Sequence, residues 1–199
     1  MIETKIAYVV LVFYLKVFMD EQDFLNKVKA EYQEKIFFSE QGLGAEVHWF
    51  FSQASEALKM GLYLPACTSF LNGIEASLRI TVAQIENPRP VEELDPVKLL
   101  SNRLLKSAHD LGVPVEALAF PLEKNFMDKL QSKKPNLQNV EVVRVRHNLC
   151  HGNILEYINK DLGEDQAFFT PECCRELALT LYVVSKEWAK QLGQFRRTL

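Results

Sequence analysis

The sequence predicts an all-α fold, an up-and-down bundle of six or seven helices. Apolar residues recur at the helical period along most of the chain, as in Phe24, Val28, Tyr32 and Ile36, and again in Ala66, Phe70, Ile74, Leu78 and Val82. Gly and Pro number 8 each in 199 residues, too few for an all-β chain with many turns. Gly42 with Gly44, and the Asn87-Pro88-Arg89-Pro90 run, break the periodic stretches into segments of helix length.

The elements follow in order. Residues 6–15 form an uninterrupted apolar run, too short to cross a bilayer. Glu3 precedes it, and no small-residue cleavage site follows before Asp20 and Glu21. Residues 1–20 are therefore expected to be an apolar N-terminal extension, and 21–199 a single helical domain. The first helix opens at Glu21, and a second is expected over 45–60. A third opens near Pro65, a residue suited to a first turn. Asp95-Pro96 reads as the cap and first-turn proline of a fourth helix through Leu99, Leu100, Leu104 and Leu105, closed by Gly112 and Pro114. A fifth is expected over 115–130, a polar loop over 132–136, and a sixth helix over 140–155. Gly163-Glu164-Asp165 marks a loop. Thr170-Pro171-Glu172 starts the last helix, through Leu177, Leu181, Val184 and Trp188.

Composition narrows the function. With 48% apolar and 25% charged residues the chain has the balance of a globular domain. A net charge of −3 argues against a protein that coats nucleic acid nonspecifically, while leaving room for a small pocket that reads one phosphate. The four cysteines (Cys67, Cys150, Cys173 and Cys174) form no C-x-x-C pair, so free thiols in a reducing cytoplasm are expected. No membrane association and no cofactor are expected.

The chemistry gathers in one segment. Residues 144–153 hold two arginines, two histidines and two asparagines. Arginine is a fixed cation with a planar fork suited to phosphate. Histidine is the side chain whose proton moves near neutral pH. Phosphodiester cleavage without a metal needs both functions: a group that takes or gives a proton, and a group that neutralises developing charge.

Arg146-His147-Asn148-Leu149-Cys150-His151 resembles the R-x(4–6)-H motif of the HEPN superfamily, and the trailing Gly152 resembles its R-N-x-x-x-H-G variant. Residues 66–79, Ala66-Cys67-Thr68-Ser69-Phe70-Leu71-Asn72-Gly73-Ile74-Glu75-Ala76-Ser77-Leu78-Arg79, are similar to that family's early core helix. The resemblance covers roughly residues 45 to 190. It implies a helical bundle that forms a homodimer with the two motifs facing each other. It also implies a metal-independent endoribonuclease of a defence or toxin–antitoxin type, with RNA as substrate and an antitoxin or other protein as a further partner. Carried over by position, His151 is the proton-transfer residue, Arg146 the phosphate ligand and His147 the polar residue that orients them. Attack of a ribose 2′-OH on phosphorus would leave a 2′,3′-cyclic phosphate. One branch of the family carries Tyr two positions after the His, where this chain has Asn153.

Helical geometry adds a second candidate cation. At 100° per residue Arg146 and His151 stand about 140° apart, whereas Arg144, His147, Asn148 and His151 share a face. Arg144 and Asn148 are therefore supporting or RNA-contacting candidates. Glu75 is another: on an otherwise apolar helix face, it either pairs with Arg79 four residues on or reaches the Arg/His cluster. The competing reading makes the segment an interhelical ion-pair network in a noncatalytic module for protein interaction or nucleotide binding. His147 and His151 are spaced to share a metal, but no third ligand is evident, and no metal site is expected. Lys133, Lys134, Arg196 and Arg197 read as solvated charges. Trp49, Trp188, Phe50 and Phe51 read as core or interface, and Cys150 as a buried, inert thiol.

Overall fold

The structure is a computed structural model in which residues 21–88, 91, 93–161 and 163–199 are described. The apolar run over 6–15 lies outside the described residues. The chain divides into two compact units, Met1–Phe37 and Phe38–Leu199. In the first, residues 21–36 form helix α1, with Phe24, Val28 and Tyr32 exposed along its apolar stripe.

The second unit is built on α2 (His48–Lys59), α3 (Tyr63–Glu86), α4 (Asn102–Asp110), α5 (Phe126–Gln131), α6 (Glu141–Cys150) and α7 (Arg175–Arg196), with 3-10 turns between α4 and α5 and between α6 and α7. The fold is all-α. Among the described residues the sole β feature is an isolated antiparallel bridge between Asn159 and Phe168.

Helix α3 is the central element because its apolar residues cover more than one face. Ala66, Cys67, Phe70, Leu71, Ile74 and Leu78 are fully buried, against α2 on one side and α7 on the other. Two glycines set the closest approaches. A Cβ at Gly73 would lie 2.8 Å from the Phe51 ring, and one at Gly193 would lie 2.2 Å from the Gln41 carbonyl oxygen. The buried Trp188 of α7 satisfies its indole N–H by donating to Ser77 Oγ at 2.9 Å, so the largest core side chain carries no orphaned donor.

Three expected helices are shorter in the structure. The fourth begins at Asn102, capped by Ser101 Oγ, which accepts from the Leu104 N–H. Asp95 instead accepts from the Val97 N–H in a local turn, an alternative to helix that short acidic side chains favour. The fifth breaks into a 3-10 turn (Val115–Leu118) and α5, because Pro121 removes a backbone donor and disfavours helical geometry at Phe120. The sixth stops at Cys150, five residues early, for the reason given below. Arg196 is no solvated tail charge. It donates to Thr81 Oγ1 at 2.9 Å and to the Gly42 carbonyl at 3.1 Å, fastening the end of α7 to α3 and to the turn before α2.

Candidate functional site

Helix α6 carries the Arg/His segment, and both of its ends are fixed by identifiable groups. Its N-terminus has no side-chain cap of its own. Distant residues take that role. The Glu123 carboxylate accepts the Glu141 N–H at 2.9 Å and is bridged to Lys129 at 3.0 Å. Asn102 accepts the Val140 N–H at 3.2 Å through Oδ1, while its amide donates to the Lys129 and Gln138 carbonyls. One buried asparagine thus ties α4, α5 and the entry to α6 together. Burial alone would lower the Lys129 pKa, but its bonds to Glu123 and Glu141 outweigh that and raise it.

The C-terminus of α6 ends in a Schellman motif. Gly152 adopts φ +70°, its N–H donates to the Leu149 carbonyl at 3.3 Å, and the Asn153 N–H donates to the Asn148 carbonyl at 2.8 Å. The Asn153 side-chain amide also donates to Asn148 Oδ1 at 3.3 Å. Gly152 and Asn153 therefore have a structural role: they stop the helix at Cys150 and leave His151 as its C-cap.

Between these ends, Val142, Val143, Val145 and Leu149 are buried, and α6 packs on α3. That apolar stripe decides where the polar residues go. Arg146 lies beside it and turns inward, donating from Nε to Glu75 Oε2 at 3.1 Å. Glu75 also meets Arg79 at 3.6 Å, and all three side chains are less than one-fifth exposed. Both expected roles of Glu75 are thus combined: it pairs with Arg79 and reaches the cluster, through Arg146 rather than a histidine.

On the opposite side, His147 and His151 are exposed, with ring centroids 4.5 Å apart and planes inclined by 50°. Arg144 shares this side. Its Nε donates to Glu141 Oε2 at 2.7 Å and its Nη1 to Glu156 Oε2. Burial would raise the Glu156 pKa, but Tyr157, Asn148 and Arg144 close around the carboxylate and hold it below the usual range. The Tyr157 hydroxyl interacts with Glu156 without meeting strict hydrogen-bond geometry; burial and the neighbouring carboxylate push its pKa up. The Arg144 pKa is raised: the same carboxylates overcome the effect of burial.

The motif is therefore divided. His147 and His151 come together with Arg144 and Asn148 on the same face, while Arg146 belongs to an internal network with Glu75 and Arg79. Glu123, Glu141, Glu156 and Tyr157 were not singled out in the sequence. Gly152, a helix-stop residue directly after His151, was the available signal that Glu156 lies beyond the helix. Cys150 is exposed rather than buried, and Trp49 and Phe50 are exposed rather than core, unlike Phe51 and Trp188. Among the described residues no three His, Cys, Asp or Glu side chains gather where they could hold one metal ion, and no helix is long and apolar enough to cross a membrane.

Comparison with protein-family models, with curated proteins and with solved structures finds no match to this chain. The fold and site define an all-α domain that presents a solvent-facing imidazole pair on one side of a helix and an arginine–carboxylate network on the other.

Proposed function

We propose that the protein is a metal-independent endoribonuclease of the HEPN type, acting in the cytoplasm as a homodimer. The observation that carries this reading is the exposed His147–His151 pair at the end of α6, with Arg144 on the same side. His151 takes the proton of the ribose 2′-OH, the O2′–P bond forms, and the P–O5′ bond breaks to leave a 2′,3′-cyclic phosphate and a 5′-hydroxyl. Arg144 is the cation on that face, and a phosphate competes for it with Glu141 and Glu156. Arg146 positions α6 by its pairing with Glu75.

Geometry explains why a second copy belongs to this reading. In an in-line displacement the attacking and leaving oxygens sit on opposite sides of phosphorus. Two proton carriers flanking them are separated by two hydrogen bonds, each roughly 2.6–3.2 Å, plus the reacting group itself. Rings with centroids 4.5 Å apart are too close to flank it. His147 and His151 thus serve one side of the phosphoryl group, and the proton for the 5′-oxygen comes from the same pair on a second copy. A defence or toxin–antitoxin setting, with an antitoxin or other protein restraining the enzyme, fits this activity.

One observation favours a noncatalytic interaction module instead: both arginines are already paired with carboxylates, Arg146 with Glu75 and Arg144 with Glu141 and Glu156. The test is cleavage of a mixed RNA pool in EDTA by wild type, His151→Ala, His147→Ala and Arg144→Ala. The expected result is cyclic-phosphate ends from wild type and a loss of about 10²–10⁴-fold in His151→Ala. A wild type inert on every RNA, or a His151→Ala variant that cuts as fast, gives the module reading instead.

A further inference from the structure

A groove of about 810 Å³ follows helix α6 in the chain, lined by Glu156, Tyr157, Asn159, Asp161, Phe168 and Thr170 among others. It joins the candidate site through Glu156, which lines the groove on one side and holds Arg144 and Asn148 on the other. Its volume falls in the range of about 300–1,000 Å³ typical of small-molecule sites.

Three features of the lining go together. First, Phe168 is 42% exposed, an aromatic ring offered to solvent and held in place by the backbone bridge from Asn159. Second, the acids differ in their state. Glu156 is paired with Arg144 and Glu172 with Arg175, whereas the Asp161 carboxylate has no partner among the described residues. Third, the Asn159 side-chain carbonyl oxygen accepts from the Asp161 N–H at 2.7 Å, which fixes the turn that presents Asp161, and the Asn159 amide N–H donors have no partner among the described residues. An aromatic face, an open carboxylate and free amide donors are the groups that stack on and hydrogen-bond a nucleobase.

We infer that this groove seats one base of the RNA next to the scissile phosphate, and that it selects bases bearing an exocyclic amino group. The base stacks on Phe168. Its amino group donates to Asp161, as carboxylates accept from the cytosine amino group elsewhere. A carboxylate offers no such bond to uracil, whose corresponding group is a carbonyl. The phosphate stays outside, at the imidazoles, because the carboxylates lining the groove, Glu156, Asp161 and Glu172, outnumber its one cation, Lys160. This inference rests on the endoribonuclease reading for its substrate class, but its test does not depend on turnover.

The experiment is binding of cytidine, adenosine and uridine 3′-monophosphates to the full chain, followed by backbone amide shifts. Wild type is expected to bind the cytidine or adenosine nucleotide about tenfold more tightly than the uridine one, with shifts at Tyr157, Asn159 and Phe168. Asp161→Asn is expected to remove the preference. Phe168→Leu, which keeps the apolar volume but not the ring, is expected to weaken all three by about tenfold, the scale of one stacked base. His151→Ala is expected to leave the groove shifts in place. Binding without any RNA cleavage by wild type upholds the groove and sinks the nuclease reading. Shifts confined to the imidazoles, equal affinity for uridine, or no binding at millimolar nucleotide overturns the groove.

Discussion

Arg146 and His151, five positions apart on one short helix, serve opposite sides of it: Arg146 reaches Glu75 on α3 at 3.1 Å, while His151 stands exposed at the helix end. Substitutions at the two positions therefore report different things. Glu75→Gln leaves two largely buried arginines without their carboxylate and is expected to cost about 3 kcal/mol in urea denaturation, whereas Arg146→Met, which leaves Glu75 with Arg79, is expected to cost less, about 1–2 kcal/mol. His151→Ala, at an exposed position, is expected to change stability by about 0.5 kcal/mol or less. If Arg146→Met is as stable as wild type, the internal role assigned to Arg146 is wrong.

Acid stability should depend on Glu156. Its pKa in the folded chain is lowered from an ordinary 4.5, so it binds its proton less readily than in the unfolded chain. Its contribution is fully present above that ordinary value and is lost as pH falls through the folded value. The stability gap between wild type and Glu156→Gln is expected to be constant from pH 7 to 5 and to shrink below 4.5. A gap that widens on acidification would contradict the assignment.

The two close-packed glycines give a sign test. Alanine is favoured over glycine within a helix by about 1 kcal/mol, so Gly73→Ala and Gly193→Ala would stabilise if space allowed. It does not. The added methyl meets Phe51 at 2.8 Å or the Gln41 carbonyl at 2.2 Å. Both variants are expected to lose about 1–3 kcal/mol by thermal or chemical denaturation. Gly193→Ala should fare worse, since backbone yields less readily than a ring.

Thiol reactivity should separate the four cysteines. Burial is the largest influence on Cys67 and pushes its thiol up to about 12, so almost no thiolate exists near neutral pH. Cys173 is lowered, first by its hydrogen bond with the Thr170 backbone, and it is only half-buried. Iodoacetamide labelling of the folded chain, read by mass spectrometry, is expected to modify Cys173 and the exposed Cys150 and to spare Cys67 and the buried Cys174, whose thiol burial also pushes up. Fast modification of Cys67 without unfolding would refute the packing of α3 against the start of α7.

Periodicity identified the all-α class and the long helices because their apolar stripes run for several turns: Phe70, Ile74 and Leu78 in α3, and Leu181, Val184 and Trp188 in α7, are all buried. Helix ends were less legible. Asp95-Pro96 reads as a cap in sequence, yet Ser101 caps the helix, because local turn bonds at Asp95 compete with helix initiation. For the site, helical angles placed Arg144, His147, Asn148 and His151 together. The partners of that set were hidden, since Glu75 lies 71 residues from Arg146 and only tertiary packing joins them. Cys150 illustrates the same limit: its residue type favours burial, but its place on α6 is set by the valines that take the inner face.

Helix α7 has a consequence for how the chain comes to be folded at all. It brings Leu181, Trp188 and Leu192 to the core, and Arg196 ties its far end to Thr81 and to the turn at Gly42. Helices α2 and α3 are synthesised first, yet the groove that Trp188 fills stays open until residues 175–196 have emerged. On the ribosome the growing chain therefore exposes an unfinished apolar face for most of its synthesis. Any truncation ahead of α7 is expected to leave that face bare.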